Sequence, residues 1–155
     1  MDNQAKEKDR TRRRNTANSL SLSSLEHGKL PPQAIDLEEA VLGSMLLEKD
    51  AVNTVIDILQ GKSFYKESHQ KIFDVIKDLF GKSEPIDILT VTNELKQKGE
   101  LEIVGGPYYI TQLTNRVASA ANVEFHARII SQKFIQRELI RISTEIITDA
   151  YDETT

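Results

Sequence analysis

The sequence contains no cysteine and no tryptophan, and aromatic residues make up only 6% of its 155 residues. The absence of cysteine excludes disulfides, thiolate zinc sites, iron–sulfur clusters and cysteine nucleophiles. No apolar run reaches the roughly 18 residues that a membrane span needs, and the N-terminus lacks the apolar core of a secretory signal. The remaining composition, 39% hydrophobic and 28% charged, is typical of one globular domain. We therefore expect a cytoplasmic protein without membrane association.

Charge is distributed unevenly along the chain, although the net charge is only −4. Residues 1–30 contain seven basic and four acidic side chains, whereas the other 125 residues contain 13 basic and 20 acidic ones, a net charge of −7. Phosphate backbones attract clustered Lys and Arg, so the acidic bulk of the chain indicates a protein-binding or enzymatic domain. The basic N-terminal run has two interpretations, a solvated tail and a contact for DNA, RNA or another anionic partner.

Residues 1–30 also lack apolar periodicity. A polar segment with no face to bury cannot offset the entropy that it loses on ordering, so the sequence predicts a disordered basic tail over residues 1–30. Pro31 and Pro32 end this tail with a stiff, extended step. A helical head is predicted over residues 31–117, and a long helix over residues 118–155.

Apolar residues at helical spacing predict five short helices in the head. The first runs from about Leu37 to Glu48. Asp36 and Glu39 have the spacing of a capping box, in which each side chain binds a free amide at the start of the helix. Gly43, in the middle of this helix, permits a neighbouring helix to approach closely.

Capping and stop residues delimit the other short helices. Asp50 and Asp87 are predicted to cap the second and the fourth, Gly81 to end the third, and Pro107 to stand at the start of the fifth. His69 lies on the apolar stripe of the third helix, and we interpret it as a core histidine with satisfied hydrogen bonds. No segment shows a convincing alternation of apolar and polar residues of the kind that is typical of a β-strand. The predicted fold class is all-α, a compact bundle of about five short helices followed by one long C-terminal helix.

The long helix, from about Ala121 to Tyr151, contains neither Gly nor Pro. Its length of about 45 Å exceeds the roughly 35 Å diameter of a 100-residue domain, so we expect its C-terminal part to project beyond the head. One side of that part is apolar: Ile135, Leu139, Ile142 and Ile146. An exposed Ile or Leu forgoes about 1.5–3 kcal/mol of burial, which predicts a cover by a second copy, a partner or further sequence.

Charged side chains flank this apolar side: Arg137, Glu138, Arg141 and Glu145. In paired helices such residues set register and partner choice, and we predict that role for them here. The alternative is a long helix that bends or breaks and packs against the head, although no residue marks a kink.

The sequence contains no recognisable catalytic, nucleotide-binding or metal-binding motif. Gly61-Lys62-Ser63 and Gly81-Lys82-Ser83 lack the upstream glycine of a phosphate-binding loop, since Ile56 and Ile76 stand at that position. The histidines have no further ligands at metal spacing, and no serine lies in a nucleophile elbow. We therefore predict no catalytic, cofactor-binding or metal-binding residue. A helix-turn-helix interpretation stays open, but only the fourth helix offers a few polar side chains suited to base edges.

From Pro32 onward the sequence resembles the N-terminal domain of the bacterial replicative DNA helicases, the DnaB family. The matching stretches follow the family order over about 120 residues. They include PQAIDLEEAVLGSMLL at 32–47, FY at 64–65, PIDILTV at 85–91, LEIVGGPYYI at 101–110 and ASAANV at 118–123. The family often has an acidic residue where this chain has Ser63. Residues 1–30 lie outside the resemblance.

The resemblance implies a domain without hydrolytic activity, which pairs with its neighbours into a collar, a trimer of dimers, above a ring of ATPase domains. It also implies docking of primase and, in some systems, of a helicase loader. ATP, Mg²⁺ and DNA would bind a C-terminal domain that this chain lacks, and the long helix would be the first arm of a truncated helical hairpin. The alternative function is a small helical nucleic-acid-binding domain that acts through its basic N-terminal tail.

Overall fold

The computed structural model describes residues 30–117, 119–152 and 154. Six α-helices form in chain order: α1 (Ile35–Leu47), α2 (Lys49–Ile56), α3 (Glu67–Gly81), α4 (Ile88–Gln97), α5 (Gly106–Asn115) and α6 (Val123–Tyr151). Short 3₁₀ helices, which the sequence did not predict, lie at Gly61–Ser63 and Ala120–Asn122. The described residues contain no strand. The predicted all-α class, with five short helices and then a long one, is confirmed.

The described residues divide into two units. The larger, Gln33–Ile135, contains α1 to α5 and the first part of α6, and the smaller contains residues 30–32 and the described residues from 136 onward. Except for Leu30, the predicted disordered tail lies outside the described residues. The predicted limits of tail, head and long helix stay predictions.

The larger unit encloses an apolar core. All five short helices and the start of α6 contribute side chains that are at most 1% exposed, among them Leu42, Val55, Phe73, Leu95, Ile110 and Ile130. The rings of Phe64 and Phe73 lie 5.1 Å apart between centroids. Each fully buried side chain of this size contributes about 1.5–3 kcal/mol, so burial in this core holds the short helices together.

Helices α1 and α5 pack against each other at Gly43. A Cβ atom added at Gly43 would lie 2.1 Å from the carbonyl oxygen of Leu113 and 2.6 Å from Cγ2 of Val117. No other residue fits this space without moving the backbone of α5. The close approach that the sequence predicted at Gly43 is therefore confirmed.

The predicted capping box at the start of α1 is wrong. The helix begins at Ile35, its N-cap is Ala34, and no side chain of the described residues caps it. Because the helix begins earlier than predicted, Asp36 lies inside the first turn, where its charge faces the positive end of the helix dipole. Glu39 lies 3.5 Å from the guanidinium of Arg116 and pairs with it instead.

The predicted cap of α2 is wrong for a related reason, whereas that of α4 is confirmed. Only Glu48 separates α1 from α2, so Asp50 lies inside the first turn of α2 and not before it. Asp87 does cap α4: its carboxylate accepts a hydrogen bond from the Thr90 amide at 2.8 Å, and its own amide donates to the Thr90 hydroxyl at 2.9 Å.

Helices α3 and α4 end with the same backbone motif. A residue with left-handed backbone follows each helix, Gly99 with φ +69° after α4 and Ser83 with φ +55° after α3. The amide after that residue donates to a carbonyl five positions back, at 3.0 Å for α3 and 2.9 Å for α4, as in a Schellman motif. Gly81 is the last residue of α3 as predicted, but the left-handed turn falls on Ser83.

A buried carboxylate, that of Glu38 in α1, connects several parts of the head. Glu38 is only 1% exposed. Its side chain accepts hydrogen bonds from the amide of Tyr65 at 2.8 Å and from the amide of Lys66 at 3.4 Å. Nδ1 of His69, in α3, lies 2.9 Å from the same carboxylate. These donors replace the water that the carboxylate loses on burial.

The network continues through His69 to Tyr109 in α5. Nε2 of His69 lies 2.5 Å from the Tyr109 hydroxyl, which also accepts a hydrogen bond from the Lys66 ammonium at 3.4 Å. In the tautomer that satisfies both contacts, Nδ1–H donates a hydrogen bond to Glu38 and Nε2 accepts one from the Tyr109 hydroxyl. Both ring nitrogens are thus satisfied, which confirms the interpretation of His69 as a core histidine. The sequence did not identify its partners.

Burial raises the pKa of Tyr109 from 10.0 to about 12. The carboxylates of Glu39 and Glu38 act in the same direction, because a phenolate beside them would add a second negative charge, and Arg116 opposes them. The folded protein therefore keeps the Tyr109 proton at a pH where the unfolded chain has lost it.

Replacing Glu38 with alanine should lower the free energy of unfolding by about 3–5 kcal/mol, since His69 and two amides lose their buried acceptor. Urea unfolding followed by circular dichroism measures this loss. The control is Glu84→Ala in the exposed loop after α3, which we expect to stay within about 0.5 kcal/mol of wild type. A comparable effect of the two substitutions would contradict the role of Glu38.

Alkaline pH should destabilise the wild type more than Tyr109→Phe. The folded pKa is raised, so the stabilisation is complete below pH 10.0 and is lost as pH rises through about 12. Allowing for partial exposure of the ring, we expect a relative loss of about tenfold in the folding equilibrium constant. Urea unfolding between pH 8 and about pH 12 tests this. Tyr108→Phe, at a residue that is 74% exposed, should follow wild type. Parallel curves for wild type and Tyr109→Phe would refute the prediction.

Ser83→Gly should stabilise the protein by about 0.5–1 kcal/mol, because glycine adopts the left-handed backbone without the strain of a Cβ atom. The urea midpoint should rise with an unchanged slope. Gly99→Ser is the matched converse: a Cβ there would meet no atom within 4 Å, so its expected loss of about 1 kcal/mol would arise from the backbone alone. A lower midpoint for Ser83→Gly would show that the hydroxyl outweighs the strain.

Candidate interaction surface on the long helix

Helix α6 is continuous over 29 residues, Val123–Tyr151, which corresponds to about 44 Å. The alternative interpretation allowed a bend or a break in this helix, and no break occurs within it. Its first part contributes Val123, Ala127 and Ile130 to the core of the larger unit. Beyond Ile130, the described residues of α6 include no buried side chain. The described apolar residues of its second half are all exposed.

The four predicted interface residues of α6 are exposed. Steps of four, three and four residues place them on one side of the helix. Their exposed fractions are 55% for Ile135, 59% for Leu139, 43% for Ile142 and 63% for Ile146. We call these four residues the α6 stripe. With about half of each side chain in water, covering the stripe would contribute on the order of 3–6 kcal/mol.

A second apolar row lies beside the α6 stripe. Ile140 is 48% exposed and Ile147 is 58% exposed. At about 100° per residue, this row lies roughly 100° around the helix from Leu139. The two rows lie within the same half of the helix circumference, with Gln136 and Ser143 between them.

The charged residues predicted beside the stripe already form hydrogen bonds within the protein. Arg141 donates through Nη2 to Glu138 at 2.9 Å and through Nη1 to Glu145 at 2.7 Å. Hydrogen bonds to these two carboxylates raise the pKa of Arg141 above its ordinary value. Arg137 donates through Nη1 to the carbonyl oxygen of Pro32 at 2.8 Å. These four charged residues thus have hydrogen-bond partners, whereas the side chains of the stripe are 43–63% exposed.

These four charged residues do not all border the stripe. By helix geometry, Glu138 and Glu145 lie within about 60° of Ile142, at the edge of the stripe. Arg137 and Arg141 lie two residues from Leu139, which places them about 160° away, on the opposite side. The stripe is therefore an apolar surface with an acidic edge. Arg141 reaches that edge only through its hydrogen bonds to Glu138 and Glu145.

Other candidate chemistry finds no geometric support. Within residues 30–117, 119–152 and 154, no group of three or more His, Asp or Glu side chains could hold a metal ion. None of the helices described there is long and apolar enough to cross a bilayer. Gly61–Ser63 forms a 3₁₀ turn and Gly81 ends α3, so in both Gly-Lys-Ser triplets the backbone differs from that of a phosphate-binding loop.

Proteins of known family resemble this chain in sequence. A family model described as the DnaB-like helicase N-terminal domain matches residues 30–132. The "Replicative DNA helicase DnaB" of Rhodothermus marinus is 50% identical over 125 residues, which cover 81% of this chain and 13% of that protein. The "Replicative DNA helicase DnaC" of Bacillus subtilis (strain 168) is 42% identical over 130 residues, which cover 84% of this chain and 29% of that protein.

A solved structure resembles it in fold. The crystal structure of the N-terminal domain of DnaB helicase from Mycobacterium tuberculosis matches with a TM-score of 0.78 and 38% identity, covering 81% of this chain and 91% of that one. The chain spans only 13–29% of the length of the two curated relatives. Because the family model covers most of the chain, including all five short helices, this protein belongs to the DnaB-like helicase N-terminal domain family.

Proposed function

We propose that this chain is the non-catalytic collar domain of a replicative DNA helicase, where it joins subunits into dimers and a trimer of dimers. The α6 stripe carries this proposal: four large aliphatic side chains, 43–63% exposed, follow one side of a continuous helix. Such a surface is stabilised by a protein partner that buries it. ATP hydrolysis with Mg²⁺ and movement on DNA belong to parts of the helicase outside this chain, and the expected location is the cytoplasm.

The spacing of the stripe favours a helix of a second copy as its cover. Steps of four, three and four residues are those of the a and d positions of a coiled coil, at which side chains of two helices interlock. In that register Glu138 and Glu145 occupy g positions, from which charged residues influence partner choice. Arg141 already neutralises both carboxylates, so a second copy meets an edge without a bare charge.

Docking of primase, and of a helicase loader where one exists, is the second part of the proposal. Its support is family membership and the acidic character of residues 31–155, which carry a net charge of −7. A surface of that sign repels phosphate backbones and is better suited to protein partners. No particular contact of the head is assigned to primase.

Leu139→Asp should weaken self-association by at least about tenfold, because each paired helix would bury a carboxylate in an apolar seam. Sedimentation equilibrium from micromolar to millimolar concentration measures the change. Thr148→Asp is the matched control, since it adds the same charge to α6 at about 180° from Leu139, and it should associate like wild type.

Two results would overturn this function. If the wild-type chain stays monomeric at millimolar concentration, the chain does not self-associate and this part of the proposal is wrong. Equal association of Leu139→Asp and wild type would move the contact to a surface other than the α6 stripe. Mass measurement with and without the C-terminal region of the cognate primase tests the docking partner separately, and no complex with that region would exclude it.

A further inference from the structure

The proposed function assigns no role to a cavity in the head between α4 and α5. The cavity lies within the larger unit and has a volume of about 530 Å³, and cavities that bind ligands typically measure about 300–1,000 Å³. Four of its six lining residues are exposed, so it opens to solvent. We call it the α4–α5 cavity, and the residues that line it are Thr92, Lys96, Gly99, Leu101, Glu102 and Pro107.

One polar atom at the α4–α5 cavity has an unusual environment. The hydroxyls of Thr54, Thr111 and Thr144, which lie in other helices, each donate to the carbonyl oxygen four residues earlier. Oγ1 of Thr92 is buried and forms no hydrogen bond with any described residue. A buried hydroxyl without a partner is unfavourable. Because Thr92 lines the cavity, rotation about its χ1 bond can offer this hydroxyl to a group that enters.

Two opposite charges line the α4–α5 cavity without pairing. Lys98 forms an ion pair with Asp78 at 2.6 Å, whereas Lys96 and Glu102 form none with any described residue. A carboxylate oxygen of Glu102 lies 3.6 Å from the place that a Cβ atom at Gly106 would take, so the carboxylate is beside the positive start of α5. A ligand with one acidic and one basic group therefore finds a partner for each.

Large apolar side chains lie next to the α4–α5 cavity. Leu89 precedes Thr92 by three residues and so lies on the same side of α4, and Ile103 and Tyr108 each directly follow a lining residue. These three residues are 63–77% exposed. A small molecule that fills the cavity would leave them in water, whereas a segment of a protein can cover them as well.

We propose that the α4–α5 cavity docks a short peptide segment of another protein. An apolar side chain of the segment enters the cavity, an acidic residue on one side of it pairs with Lys96, and a basic residue on the other side pairs with Glu102. The hydroxyl of Thr92 forms a hydrogen bond with the backbone of the segment. The carboxylate of Glu102 repels phosphate groups, which disfavours nucleic acid and anionic lipid as occupants.

Fluorescence anisotropy of the full chain with labelled peptides of about 12 residues tests the site. Each peptide places one Leu or Phe between one Glu and one Lys, at spacings that vary across the set. We expect the best of them to bind with a Kd on the order of 10–100 μM. Replacing its Leu or Phe with Ala should reduce the affinity at least about tenfold, because the cavity then remains unfilled.

Charge reversal identifies the two ion pairs. Lys96→Glu should reduce the affinity for the best peptide by at least about tenfold, and exchanging the Glu of the peptide for Lys should restore it. Glu102→Lys should be rescued in the same way by a peptide with Glu in place of its Lys. The matched control is Lys49→Glu, at an exposed lysine of α2, which should bind the original peptide like wild type.

Substitutions of Thr92 separate binding from folding. Thr92→Val should raise the urea midpoint, because it removes a buried hydroxyl without a partner, and should weaken peptide binding about fivefold. Thr92→Ser keeps the hydroxyl and should keep the affinity. A merely structural role of Thr92 would not change stability and affinity in opposite directions.

Four results would overturn the site. These are no binding of any peptide at millimolar concentration, equal affinity of Lys96→Glu and wild type for the best peptide, equal affinity of Thr92→Val and wild type, and loss of self-association in Lys96→Glu, which would make a second copy the occupant. The test is independent of the proposed function, since Leu139→Asp should bind the peptide like wild type even if it no longer self-associates.

Discussion

The head depends on one buried carboxylate. A charge at 1% exposure is tolerated in an interior only where hydrogen-bond donors converge on it, and for Glu38 these come from the segment before α3 and from His69 in α3. The phenol of Tyr109 extends the same network to α5. If any of these elements shifted, a buried polar group would lose its hydrogen-bond partner. The core supplies most of the burial, and the network restricts the arrangement in which that burial can occur.

Both halves of helix α6 contain large aliphatic residues, but these residues are buried in the first half and exposed in the second. Ile130 is buried in the core, whereas Ile142 and Ile146, further along the same helix, are 43% and 63% exposed. Aliphatic residues on a surface are costly to leave uncovered, and they occur here at the spacing of a helix seam. The polar groups nearby are satisfied: Arg141 bridges two glutamates and Arg137 binds a carbonyl. Covering these exposed side chains with a partner helix is the role that we propose for the α6 stripe.

The fold class and helix order could be predicted from periodicity, because burial of one face leaves a 3.6-residue pattern in the chain. Gly43 and Asp87 were predictable for local reasons, a missing side chain and a cap next to its own helix. Contacts between residues far apart in the sequence could not be predicted. Glu38 and His69 are 31 residues apart, and no local pattern marks them as a pair. The caps predicted at Asp36 and Asp50 were wrong because both helices begin before these residues, α1 at Ile35 and α2 at Lys49, directly after Glu48.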